Sequence, residues 1–197
     1  MTKEPKNSEH KLTLAEVLDM LVEDGLVTDD EAKALRAERR LSGMGAAHPL
    51  SVIAEQKWRS GPPTNKYLTL DALTEWLAAR VGLEYFHIDP LKTDFTGVAD
   101  IMSSAYAGRF SILPVKVTAK EVVIATAEPF LREWEKELAP ILRKEIKRVL
   151  ANPADIARYL VEFFNLAKSV KKAAQTSGGA SGLSSFEQLV ELGRTNK

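Results

Sequence analysis

Apolar residues recur along this chain in two alternating periods, one helical and one of strand type. Leu14, Val17, Leu18, Leu21 and Val22 fall at i, i+3, i+4, i+7 and i+8, which is one face of a 3.6-residue helix. Thr13 and Glu16 have the spacing of a capping box, and Gly25 stands where a C′ residue belongs. Thr28 and Glu31 open a second helix, "TDDEAKALRAERRL", whose apolar stripe is thin: Ala32, Leu35 and the stem of Arg39. The two form a small hairpin.

Two breaker clusters follow, "SGMGAAHPL" and "RSGPPTNK", with the short helical stretch "LSVIAEQKW" between them. Leu70, Leu73, Trp76, Leu77 and Val81 then give a firm helix closed by Gly82, and "EYFHI" reads as a strand. Val98, Ile101, Met102, Ala105 and Tyr106 predict one helix ending near Gly108. "SILPVKVT" and "KEVVIAT" pair as a hairpin, and Pro114 belongs on an edge or at a bulge because it has no N–H for the ladder. A helix from about Phe130 to Leu142 and a strand "IKRVLA" come next. Asn152 caps and Pro153 starts a long helix with Ile156, Leu160, Phe163, Ala167 and Val170 on one seam, ending near Ala173.

The pattern divides the chain into a polar, disordered arm over residues 1–11, a helical module with its linker over 12–66, and an α/β domain over 67–175. Residues 176–197 are read as a flexible linker because "QTSGGASGLSS" is rich in Gly and Ser. The final "FEQLVELGRTNK" opens an amphipathic pattern too short to bury a face by itself. The fold class expected is α+β: a small N-terminal helical module, then a compact α/β domain with a short sheet packed by helices.

Composition narrows the chemistry. In 197 residues, 45% hydrophobic content supports a core, while Lys+Arg and Asp+Glu are equal at 27 each, so no global charge attracts nucleic acid. Zero cysteines exclude disulfides, thiolate zinc sites and cysteine nucleophiles. No apolar run is long enough to span a bilayer, and "MTKEPKNSEH" lacks the apolar stretch of a signal peptide. The expected location is the cytoplasm.

Few residues are arranged for catalysis. No G-x-x-x-x-G-K-[ST] phosphate loop occurs. His10, His48 and His87 are far apart in sequence and have no metal-ligand spacing, so each is read as structural, with His87 at the surface or a sheet edge. Glu133, Glu135 and Glu137 interleave with Arg132 and Lys136 as a solvated helix face would. Glu128 and Pro129 in "TAEP" precede a helix, where acid and proline suit the first turn, so this strand-to-helix junction reads as architecture. Lys168, Lys171 and Lys172 lie near a helix C-terminus, where cations are favoured.

Taken in series, "HPLSVIA", "LTLDALTEWLAARVGLEYFHIDPLK", "ILPV", "ATAEPFLREWEKEL" and "RVLANPADIARYLVEFFNLAKSVKKA" resemble the N-terminal region of the type II secretion and type IV pilus assembly ATPases, the GspE/PulE family. The resemblance covers roughly residues 12–175. It implies a non-catalytic docking and regulatory region that tethers a hexameric motor to the inner-membrane platform by binding the cytoplasmic domain of the L-type membrane component. ATP and Mg are implied only for the motor domain, whose nucleotide-binding motifs this sequence does not contain. The region would then be cytoplasmic, held at the inner membrane through its protein partner, and would also meet its own ATPase domain. The docking surface is expected on the N-terminal helical module, with Arg36, Arg39 and Arg40 reaching acidic groups of the partner.

Some members of the family bind cyclic di-GMP through a duplicated motif, R-L-G-x-x-L-V-x-x-G-x6-L-x3-L-x2-Q, and a sensor for this dinucleotide is the alternative reading. The first copy falls on Glu16, Val17, Leu18, Leu21, Val22 and Gly25, with Ala32, Arg36 and Arg39 in the last places. The second begins at His48, Pro49 and Leu50 and ends on Leu73, Leu77 and Arg80. The apolar frame survives while the polar ligands do not, and Glu16 in place of a cation would repel phosphate.

Overall fold

The structure, a computed structural model, describes residues 9–43 and 45–178. Four helices come first: α1 (Leu14–Glu23), α2 (Asp29–Ser42), the short α3 (Pro49–Ala54) and α4 (Leu70–Val81). Thr13 and Thr28 each accept from the backbone N–H three residues on, and Glu16 and Glu31 return the bond, so both capping boxes form as expected. Gly82 takes the left-handed conformation, φ +72°, that ends α4.

The second part is built on a four-stranded sheet of order β1-β4-β3-β2, with β1 (Glu84–Tyr85), β2 (Ile112–Val117), β3 (Glu121–Thr126) and β4 (Glu145–Leu150). β1 and β3 lie parallel to β4 on its two sides, and β2 closes the far edge antiparallel to β3. Pro114 sits on that edge at a register shift between Pro114 and Lys116, where a missing N–H is tolerated. α5 (Phe95–Ile101) and α6 (Ser104–Phe110) precede the hairpin; α7 (Glu133–Leu142) connects β3 to β4, and α8 (Pro153–Gly178) follows.

Alternation along β3 assigns the two faces. Val123 and Ala125 pack with Ile156 and Phe163 of α8, whereas Val122 and Ile124 pack with Trp134 and Leu138 of α7. The helical module has a third cluster in which Val17, Leu18 and Leu21 meet Ile53, Leu73 and Leu77, and Leu150 of β4 belongs to it. α4, which lies in the stretch read from sequence as the α/β domain, buries its apolar face with α1 and α3 and so belongs with the helical module; the two parts share continuous packing through β4.

Several elements differ from the sequence expectation for local reasons. The single helix expected from Val98 to near Gly108 is two, because the Ser103 hydroxyl caps a new start at Ser104, and Ser111, at φ +53°, ends the second just beyond Gly108. α7 begins at Glu133 rather than near Phe130, since Leu131 N–H donates to Glu128 O in a preceding turn. Pro140 stands in its last turn, and the helix stops at Leu142. α8 is capped by Asn152, whose Oδ1 accepts from Ala154 N at 2.9 Å, and it runs past residue 173 to Gly178. The remainder of the stretch read as a linker, residues 179–197, lies outside the described residues, as do residues 1–8 of the arm. The end of that arm is fastened: His10 stacks on Phe130 at 5.2 Å between ring centroids, and Lys136 pairs with Glu9 at 3.2 Å.

Candidate functional site

α2 directs its three arginines differently. Arg36 and Arg39 follow the buried stripe of Ala32 and Leu35, and their side chains turn toward the neighbouring helices. Arg36 donates to the Ala15 carbonyl of α1 at 3.2 Å and pairs with Asp19, while Arg39 reaches Glu55 beyond α3 at 3.5 Å. Both Nε atoms are buried and have no hydrogen-bond partner among the described residues. Arg40 instead faces solvent beside Leu41, a leucine 90% exposed. Two of the expected docking arginines thus lace the module together, and the third is presented outward.

The positions of the dinucleotide motif are similarly engaged. The Glu16 carboxylate accepts from Thr13 N at 3.4 Å and lies 3.0 Å from His10 Nε2. Arg80 pairs with Glu23 and Asp24 at the end of α1, and Trp76 Nε1 donates to Asp24 at 2.8 Å. Arg36, Arg39 and Arg80 therefore each already face a carboxylate. These partners, 16 to 57 residues away in sequence, carry no local signal.

Beneath the module lies a polar seam. Glu128 of "TAEP", 6% exposed, accepts the Leu12 N–H at 2.7 Å across 116 residues. His48 caps α3 by accepting from Leu50 N through Nδ1 at 3.2 Å. Its Nε2 donates to Ala127 O at 2.9 Å, which fixes the tautomer and leaves Glu128 Oε1, 3.7 Å away, outside hydrogen-bond range. Burial lowers the His48 pKa from its ordinary 6.5, opposed by the Ala127 bond. Burial raises that of Glu128 from 4.5, opposed by the Leu12 bond. The turn is a clasp: its acid holds the chain before α1 and is not positioned to assist α7. An adjoining cleft of about 410 Å³ is lined by small side chains such as Ala47, Ser51, Ser111 and Ala154, with no arginine or lysine to hold a phosphate.

The carboxylates of α7 link elements more than they serve a solvated face. Glu135 pairs with Arg148 of β4 as well as Arg132, and Glu137 accepts from Tyr106 Oη at 2.6 Å. Burial, then the Glu137 bond, raises the Tyr106 pKa. Lys168, Lys171 and Lys172 line a groove against α5 and α6, where Lys171 pairs with Asp100. His87 is exposed just beyond β1.

Among the described residues, no helix is long and apolar enough to cross a membrane. Residues 81–170 match the MshEN domain family. The chain is similar to the type IV pilus assembly ATPase TfpB of Acinetobacter baylyi, 32% identical over 180 residues, or 89% of this chain. It spans about 30% of the length of that curated relative. Among solved structures, MshE with cdg shares the fold at TM-score 0.54 and 16% identity, over 75% of this chain and 97% of that one. The N-terminal domain of XpsE gives TM-score 0.45 at 17% identity, over 79% of this chain and 99% of that one. An MshEN match over residues 81–170, together with 32% identity to a type IV pilus assembly ATPase over 89% of the chain, supports the N-terminal region of a secretion ATPase.

Proposed function

We propose that this region docks a secretion or pilus motor to its inner-membrane platform by binding the cytoplasmic domain of the L-type membrane component. The observation that carries the proposal is the 180-residue likeness to a pilus assembly ATPase in a sequence without a phosphate loop. What this segment contributes to such a motor is then contact, with ATP hydrolysis belonging to a separate domain. The outer end of α2 suits that contact: Arg40 and Leu41 project together, offering one cation and one uncovered apolar side chain. Removing residues 1–42 is a poor test, because Val17, Leu18 and Leu21 are core residues of the module. The double substitution Arg40→Glu, Leu41→Asp leaves that core intact. It should weaken binding to the purified cytoplasmic domain at least tenfold, about 1.4 kcal/mol, with an unchanged circular dichroism spectrum. Undiminished affinity would remove the site from α2.

A second reading, a cyclic di-GMP sensor, is favoured by the shared fold with MshE solved with cdg. Against it, phosphates would have to displace Asp19, Glu55, Glu23 and Asp24 from the arginines, and Glu16 would oppose them. Calorimetric titration with cyclic di-GMP should give no binding at micromolar concentrations. Saturable binding that Arg36→Ala abolishes would establish the sensor reading instead.

A further inference from the structure

Three side chains that the docking function does not use meet at the β1 edge of the sheet. Asp71 stands in the first turn of α4, His87 two residues beyond β1, and Asp155 in the first turn of α8. One donor atom from each lies within 4.8 Å of the other two. They come from positions 16 and 68 residues apart in the chain, so local sequence does not force the meeting.

We propose that Asp71, His87 and Asp155 bind a divalent transition-metal ion of the zinc type, cross-linking α4, the edge strand β1 and α8. One imidazole nitrogen with two carboxylate oxygens is a borderline donor set. It suits zinc and its neighbours better than calcium or magnesium, which take oxygen-rich shells. Donors about 2.1 Å from a common tetrahedral centre lie roughly 3.4 Å apart. The cluster therefore has to close by only about 1.4 Å, within reach of side-chain rotation at the exposed Asp71 and His87. Solvent supplies the remaining positions.

The surroundings are arranged as an outer shell would be. Asn152 Nδ2 and Tyr85 Oη both donate to Asp71 Oδ1, at 2.8 and 3.3 Å, while Arg158 donates to Asp155 Oδ1 at 2.9 Å. Helix dipoles alone account for an acid in the first turn of α4 and of α8. They give no reason for an imidazole to stand between the two. A metal would also reinforce the shortest strand, since β1 has two residues and its pairing continues only through Phe86 N donating to Leu150 O at 2.8 Å.

The experiment is a zinc chloride titration of the untagged full chain, followed by calorimetry, thermal unfolding and imidazole NMR. Zinc should bind with one-to-one stoichiometry and raise Tm by roughly 5 °C at a hundredfold excess over Kd. The His87 ring resonances should move while those of His10 and His48 stay. His87→Gln and Asp155→Asn should each weaken binding at least tenfold, with circular dichroism without zinc unchanged. Unmoved His87 resonances in the unaltered chain overturn the proposal without recourse to any variant. Equal binding by His87→Gln, or none at about 100 μM zinc, overturns it as well.

Discussion

The sheet and the helical module are held together by different means. The sheet is covered on both faces, by Phe163 and Ile156 of α8 on one side and Trp134 and Leu138 of α7 on the other, and its Arg148–Glu135 pair is largely withdrawn from water. The module has one apolar cluster, and its ion pairs from Arg36, Arg39 and Arg80 join carboxylates at least three-fifths exposed, apart from Asp24. Burial on two faces makes the sheet depend little on exposed charges. The module depends on one buried face and on a rim that salt can weaken.

The largest expected effect is on the sheet side. Trp134→Ala removes a fully buried indole whose Nε1 donates to Leu131 O, and should cost about 3–5 kcal/mol in urea unfolding. Leu21→Ala in the module should cost about 2–5 kcal/mol, also in a single transition, because Leu150 joins the two cores. Separate transitions for module and sheet would break that continuity.

Glu135→Ala leaves the largely buried Arg148 with the Pro129 carbonyl as acceptor and without its carboxylate. Burial already lowers the Arg148 pKa against the pull of Glu135. The loss should be about 3 kcal/mol and nearly independent of salt. At the clasp, Glu128→Ala strands the Leu12 N–H and should cost about 1–3 kcal/mol. Glu128→Gln keeps an acceptor for that N–H and isolates the charge. Because the folded pKa lies above 4.5, folded protein holds the extra proton in that window, and native stability falls as pH rises through it. The glutamine variant should lose this slope. His48 acts in the opposite sense: its lowered pKa makes stability fall as pH drops from 6.5 toward the folded value. His48→Asn, which can still cap α3, should abolish that loss in pH-dependent denaturation. The smallest effect belongs to Arg36→Ala, at most about 1 kcal/mol and declining in high salt. A loss of several kcal/mol there would mean that its buried stem, and not its charge, secures α1 to α2.

What the sequence made legible was local. Thr13 with Glu16, Thr28 with Glu31, Gly82, and Asn152 with Pro153 mark their helix ends because each signal and its partner lie within a turn of one another. Pro114 declared its edge position by a missing donor. The strand order is not written in any such window, since β4 inserts between β3, 24 residues earlier, and β1, 65 residues earlier. The architectural reading of Glu128 survives, but its bond to Leu12 could not be seen from a segment that ends at α7. The carboxylate partners of Arg36 and Arg39 were not legible, because a polar helix face does not reveal which neighbour it will meet.

α8 has a mechanical consequence. Its 26 residues extend about 39 Å, roughly twice the length of a six-residue strand such as β4. Anchored at Asn152, buried at Phe163 and Ala167 and tied to α5 by the Lys171–Asp100 pair, the helix acts as a stiff rod: a tilt of about 5° of the whole rod moves its far end by some 3 Å. A small rotation beside the edge strand is thereby relayed along the helix to Gly178.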